Sequence, residues 1–230
     1  MVAACLSSML LDAYPDGLAR RVSGGIAMGF TAVALISSPW GKRSGAHMNP
    51  AFTLTFLMLG KIAPWDALFY AAAQFAGGLA GVLAVRLAVG RGMDYAVTVP
   101  GHAGVWAAFA GEFAISFLLV IVVLEVSNSP RTTRYTPWVA GFLVASFIGI
   151  EAPLSGMSMN PARTLASALP AWRWTAVWIY FVAPPIAMLA AARLYIRSRG
   201  AHRVFCAKFH HHNHKRCIFR CNYGALHNEQ

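Results

Sequence analysis

The stretch SGAHMNPAFTL (Ser44–Leu54) recurs 111 positions later as SGMSMNPARTL (Ser155–Leu165), with eight of eleven positions identical. Two copies with matching flanks imply that the halves of the chain are one structural unit used twice. Asn is a favoured helix N-cap, Pro is favoured at the first helical position, and Ala begins a helix-forming run. Each copy therefore starts a helix. The first is expected over about 49–59, stopping at Gly60, and the second over about 160–169, stopping at Pro170. At 1.5 Å per residue each is roughly 15 Å long, about half of a bilayer's hydrocarbon core. Two such helices meeting tip to tip would cross it.

The rest of the chain agrees with a membrane setting. Of 230 residues 57% are hydrophobic and 12% charged, too apolar for an ordinary soluble domain. Apolar spans are expected at about 22–38, 65–89, 105–126, 136–150 and 174–196, with Pro184 and Pro185 inside the last. Residues 1–13 are apolar but would reach only about 20 Å as a helix, too short to span alone. Residues 1–21 thus read as a shortened first helix with its loop, 22–196 as one core domain, and 197–230 as a basic tail containing Cys and His.

The net charge of +11 does not point to nucleic acid, because eight of the nineteen Lys and Arg residues lie at or beyond Arg193, beside the last span. Placing the 39–43 and 128–135 turns with the tail on one side collects thirteen of the nineteen there. By the positive-inside rule that side is cytoplasmic, in a plasma or inner membrane. The two copies of the repeat then enter from opposite faces, which is an inverted-repeat topology.

Half-helices whose N-termini meet at the midplane set two positive dipole ends and two Asn side chains around one point. Irregular backbone at that depth must be buried in protein or line a polar cavity. A pore satisfies this: the dipole ends oppose cations, and Asn amides replace hydrogen bonds that a neutral solute loses on leaving water. No nucleophile elbow, phosphate loop or catalytic carboxylate pair is present, so an enzyme is not expected and no cofactor is assigned.

These doubled motifs, with Arg163 following the second, resemble the signature loops of the aquaporin, or major intrinsic protein, family over about 22–196. The resemblance implies an all-α membrane fold with six spanning helices and two re-entrant half-helices, usually a homotetramer in lipid with one pore per subunit. It implies a passive channel for water or small neutral solutes. Asn49, Pro50, Ala51, Asn160, Pro161 and Ala162 would form the pore motifs, and Arg163 the outer filter. Counting from the two Asn residues, the other filter positions fall on Gly29, Ile148 and Met157. Gly29 reads equally as a helix-packing glycine, and Ile148 and Met157 as apolar packing residues.

Gly29 and Ile148 lack the Phe and His common in water-selective members. Thr164 stands where glycerol channels resemble Asp, and Tyr180 with Phe181 keeps the water-type aromatic pair. Glu112 resembles the buried glutamate that braces a half-helix loop. Its partner position falls on Met1, so most of the first helix reads as missing, through a late start codon or a truncated gene.

Three further residue sets carry alternatives. His47 is expected to bond its own loop, and Glu151 to pair with Arg163 or be solvated. In the tail, Cys206, His210, Cys217 and Cys221 could supply a Cys₃His set for zinc. The tail reads more simply as a basic segment on anionic lipid, so no metal ligand is assigned. A non-conducting assembly or sensing protein using that tail is the competing function, and a proton-coupled transporter using Glu112 or Glu151 a third.

Overall fold

The computed structural model describes residues 1–11, 17–90, 97–211, 213 and 215–223. Part of the loop expected within 1–21, and residues 91–96 between two of the expected spans, fall outside these residues. Every element among the described residues is helical. The order is α1 (Val2–Leu10), α2 (Leu18–Ser37), α3 (Pro39–Ser44), α4 (Pro50–Met58), α5 (Pro64–Val89), α6 (Val105–Ser127), α7 (Thr136–Ile150), α8 (Ala152–Ser155), α9 (Pro161–Ala171) and α10 (Trp178–Arg199). Among them α5, α6 and α10 are long and apolar enough by themselves to cross a membrane.

The repeat extends well beyond the motif. Short α3 and α8 precede the two loops, half-helices α4 and α9 follow them, and long α5 and α10 close each unit. The halves interlock by exchange: α4 packs on α10, and α9 packs on α5. Each half-helix thus buries its sides against the other half, and neither repeat can complete its core alone. Phe52 and Phe56 of α4 join Leu119, Val120, Val123 and Met188 in the main apolar cluster. The outward faces stay apolar, as at Trp65 and Phe69 of α5, which are 72% and 69% exposed. That is the arrangement lipid requires.

The α2–α7 pair forms the tightest seam. A Cβ placed on Gly29 would lie 2.6 Å from the carbonyl oxygen of Gly141, and one on Gly141 would lie 2.7 Å from the carbonyl of Gly29. Each glycine lets the other helix's backbone approach, as membrane helix packing favours. Gly29→Val is expected to force the seam open and to cost about 1–3 kcal/mol. Thermal unfolding in detergent reads that loss directly; an unchanged transition would refute the packing argument.

Pro170 does not end α9 as the sequence suggested. The helix runs one residue beyond it, to Ala171. A proline in the last turn forfeits a single hydrogen bond, and termination falls on Trp172 at φ 51°, followed by an Arg173 N–H to Ala168 O bond of 3.0 Å. The first half-helix stops where expected: Leu59 caps α4 and Gly60 turns at φ 69°.

Candidate functional site

The two loops enter through the same turn. Gly45 and Gly156 each end a short helix at φ 77°, and the next residues, Ala46 and Met157, hold φ 61° and 48°. Consecutive left-handed residues reverse the chain sharply, at a cost that the surrounding contacts must offset. Asn49 and Asn160 then cap the half-helices. Asn49 Oδ1 accepts from the Ala51 N–H at 2.9 Å, while Asn160 Oδ1 accepts from Ala162 at 3.0 Å and Arg163 at 3.2 Å.

Their amide nitrogens reach across the junction. Asn49 Nδ2 donates to Met159 O at 2.6 Å, and Asn160 Nδ2 donates to Met48 O at 2.8 Å. Each Asn therefore caps its own helix and straps the other loop, bringing both positive helix ends to one point. Pro50 and Pro161 start the helices, with Ala51 and Ala162 buried behind them.

Glu112 braces the second loop from α6. Its Oε1 accepts from the Ser158 N–H at 2.6 Å and Ser155 Oγ at 2.8 Å, and its Oε2 accepts from the Met159 N–H at 2.7 Å. Glu151 is 6% exposed and its Oε2 lies 2.9 Å from the same Ser155 hydroxyl, so it is a packed partner of this loop and not a solvated mouth residue. Tyr180 adds its hydroxyl to Ser155 O. Thr164, buried, bonds Ser158 at 2.6 Å and Thr98 at 2.9 Å, which ties the segment after α5 to the half-helix.

The first loop is held from a different set. Tyr70 donates to Ser44 O at 2.6 Å, and Gln74 Nε2 donates to His47 O at 2.6 Å. His47 has a weak contact with Thr53 of its own half-helix at 3.4 Å, but its Nε2 sits 2.7 Å from Ala207 O in the tail. Its ring is enclosed by Phe56, Tyr70, Phe209 and Phe219. The tail therefore folds under the first loop: Phe209 N–H meets Gly45 O, Arg220 N–H meets Lys61 O, and Phe205 N–H meets Asn128 Oδ1 at 2.7 Å. The expectation of a tail lying on lipid missed this, because nothing local in a Cys/His-rich run specifies a distant loop.

The tail also gathers thiols. Cys206, Cys217 and Cys221 converge with His211, the neighbour of the His210 that spacing offered as an alternative. Burial disfavours charge on His211, but hydrogen bonding and charge from Cys217 and Cys221 outweigh it and push its pKa up to about 9.

Of the expected filter residues, Arg163 is half-buried in the first turn of α9, Met157 is buried at the turn into the loop, and Ile148 is half-buried near the end of α7. Gly29 lies on the α2–α7 seam, with its Cβ direction facing the α7 backbone. Tyr70, Gln74 and Ser158 were not singled out by the sequence. The 111-residue offset could have flagged the Ser44/Ser155 pair, whose carbonyls Tyr70 and Tyr180 hold.

Two half-helices strapped at their tips inside membrane-length helices define an integral membrane protein of inverted-repeat architecture. The chain belongs to the major intrinsic protein family, whose pattern matches residues 1–195. It is 34% identical over 197 residues to aquaporin NIP6-1 of Arabidopsis thaliana, covering 85% of this chain and 64% of that one. To aquaporin NIP1-3 of Oryza sativa subsp. japonica it is 36% identical over 173 residues, covering 74% and 59%. The chain thus spans less than two thirds of these relatives' length. In fold it is similar to the aquaglyceroporin from Plasmodium falciparum, with a TM-score of 0.64 at 18% identity, covering 84% of this chain and 89% of that one.

Proposed function

We propose that the protein is a passive channel for water or small uncharged solutes, gated against ions by the Asn49–Asn160 junction. The observation that carries this is the reciprocal strap. Each Asn amide spends one hydrogen on the opposite loop's carbonyl and keeps the second for a passing solute. Both helix dipoles present their positive ends at the same point, which disfavours cations and a continuous proton wire. Arg163, in the first turn of α9, adds a fixed positive charge and up to five donors on the route past Met157 and Ile148. Gly29 shapes the filter only indirectly, by letting α7 approach α2 along the seam that its Cβ direction faces.

The apolar outer faces suit lipid and subunit packing, and a homotetramer with a pore in each subunit is the assembly proposed. The turn at 39–43, Lys61, Asn128 and the tail face the cytoplasm in this reading. The tail's contacts with Gly45, Lys61 and Asn128 support grouping them on one side. The curated relatives carry the name aquaporin, which supports the channel class and leaves the solute to be measured.

Stopped-flow swelling of proteoliposomes tests the reading against a panel of water, glycerol, urea and small metalloid acids. Flux of at least one solute, independent of a proton gradient, is expected. Absence of flux from monodisperse protein favours the non-conducting alternative, and flux that follows a proton gradient favours the transporter. Arg163→Val is expected to leave neutral flux measurable while admitting cations; unchanged ion exclusion in that variant would remove Arg163 from the filter.

A further inference from the structure

The ligand atoms of Cys206, His211, Cys217 and Cys221 all lie within 4.8 Å of one another. Cys206 Sγ is 3.4 Å from Cys217 Sγ, and Cys221 Sγ is 3.1 Å from His211 Nε2. A tetrahedral zinc ion, with bonds of about 2.3 Å to sulfur and 2.0 Å to nitrogen, separates its ligands by roughly 3.5–3.8 Å. The observed separations are of the size such a centre requires. All three cysteines are free thiols. We propose that these four residues form a structural zinc site that keeps the segment after the last span folded against the first re-entrant loop.

The surroundings suit thiolate ligands. The Lys208 N–H lies 3.4 Å from Cys206 Sγ, and the backbone of Tyr223 hydrogen-bonds Cys221, so two of the sulfurs meet an amide two residues downstream. Outer contacts of this kind orient ligands and stabilise their charge. The His211 ring stacks on Tyr223 with centroids 4.0 Å apart, which fixes the plane from which Nε2 points. Lys208 is 1% exposed, and its Nζ closes the turn by donating to Asn213 Oδ1 at 3.1 Å and Lys215 O at 3.2 Å. A Cys₃His zinc centre carries one net negative charge, and Lys208 is placed to balance it.

The fold gives the site a task. In the other half, residues 97–101 lie against the second loop, with Gly101 N–H on Leu154 O at 2.8 Å and Thr98 on Thr164, and that segment is held at both ends by α5 and α6. The 111-residue offset carries it onto the tail. There Ala207 O holds His47, and Phe209 and Phe219 pack its ring. The tail is anchored at its start by α10, and its far part, Cys217–Cys221, is returned to Cys206 by the cluster. A metal cross-link supplies the second tether by removing chain entropy, much as a covalent closure would. The inference stands on the tail's own geometry and is independent of what the protein conducts.

The test uses full-length protein in detergent, purified without chelator and with a non-thiol reductant. Elemental analysis is expected to find close to one zinc per chain, and cobalt substitution to give the charge-transfer and visible bands of tetrahedral thiolate coordination. Cys217→Ser and His211→Ala are each expected to weaken retention by about tenfold or more, whereas His210→Ala leaves it unchanged. Removing zinc should speed hydrogen exchange at residues 44–48. Where Cys217→Ser does not yield monodisperse protein, His211→Ala and cobalt titration of the unmodified chain decide. The proposal is overturned by reduced, monodisperse protein that takes up neither metal, by equal losses in the two His variants, or by exchange at 44–48 that ignores zinc.

Discussion

Glu112→Gln is expected to loosen the second re-entrant loop and lower the protein's thermal unfolding transition, although it changes one atom. The carboxylate accepts from three donors, the N–H groups of Ser158 and Met159 and the hydroxyl of Ser155, at 2.6 to 2.8 Å. A carboxylate is acceptor-only, whereas a primary amide turns one of its two ends into a donor. Whichever way Gln sits, its NH₂ group opposes one of the two backbone N–H groups that the carboxylate now accepts from. Orphaning such groups costs about 1–3 kcal/mol each, so a total near 3 kcal/mol or more is expected. Swelling assays should show strongly reduced flux, because the misplaced loop carries Asn160 and Arg163. A variant with the native transition and native flux would refute the bracing role. Glu112→Asp, which keeps two acceptors on a shorter stem, should recover part of the loss.

Removing both junction asparagines is the second large effect. Asn49→Ala and Asn160→Ala each delete a helix cap, worth about 1 kcal/mol, and each strip the donor from a carbonyl of the opposite loop. About 2 kcal/mol per site follows. The straps share one junction, so the first loss lets the tips part and weakens the second bond. The double variant should therefore depart from the sum of the singles, and simple additivity would argue that the straps act separately. Asn160→Asp separates capping from strapping. It keeps an oxygen for Ala162 and Arg163, but sets a negative charge against Met48 O and at the helix ends. Cation leakage in proteoliposomes is the expected result, and tight ion exclusion would count against dipoles and amides as the barrier.

The halves of this protein differ in how their loops are secured. The second loop has Glu112 on a full-length helix, Tyr180 behind Ser155, and residues 97–101 beneath it. The first has Tyr70, Gln74 and a folded tail. Hydrogen bonding that one half obtains from a carboxylate, the other obtains partly from a backbone carbonyl at Ala207 meeting an imidazole. Metal-dependent order in the tail would then reach the first loop through His47.

What the sequence by itself determined is local or repetitive. Asn-Pro-Ala signals a capped helix start wherever it stands, because capping and proline geometry act within four residues. The 111-residue repeat announced the inverted architecture, and apolar runs placed the spans within a few residues of the helices found. Tertiary structure alone decided the rest. Spacing allowed Gly29 to line a pore or pack a seam, and only the α7 backbone 2.6 Å from its Cβ direction showed the seam. Spacing allowed His210 as readily as His211, since neighbours in an extended chain differ by which way they point. Folding chose His211 by stacking it on Tyr223. The pairing of His47 with Ala207 joins residues 160 apart. No local pattern encodes such a contact, because it exists only once the helices between them have packed.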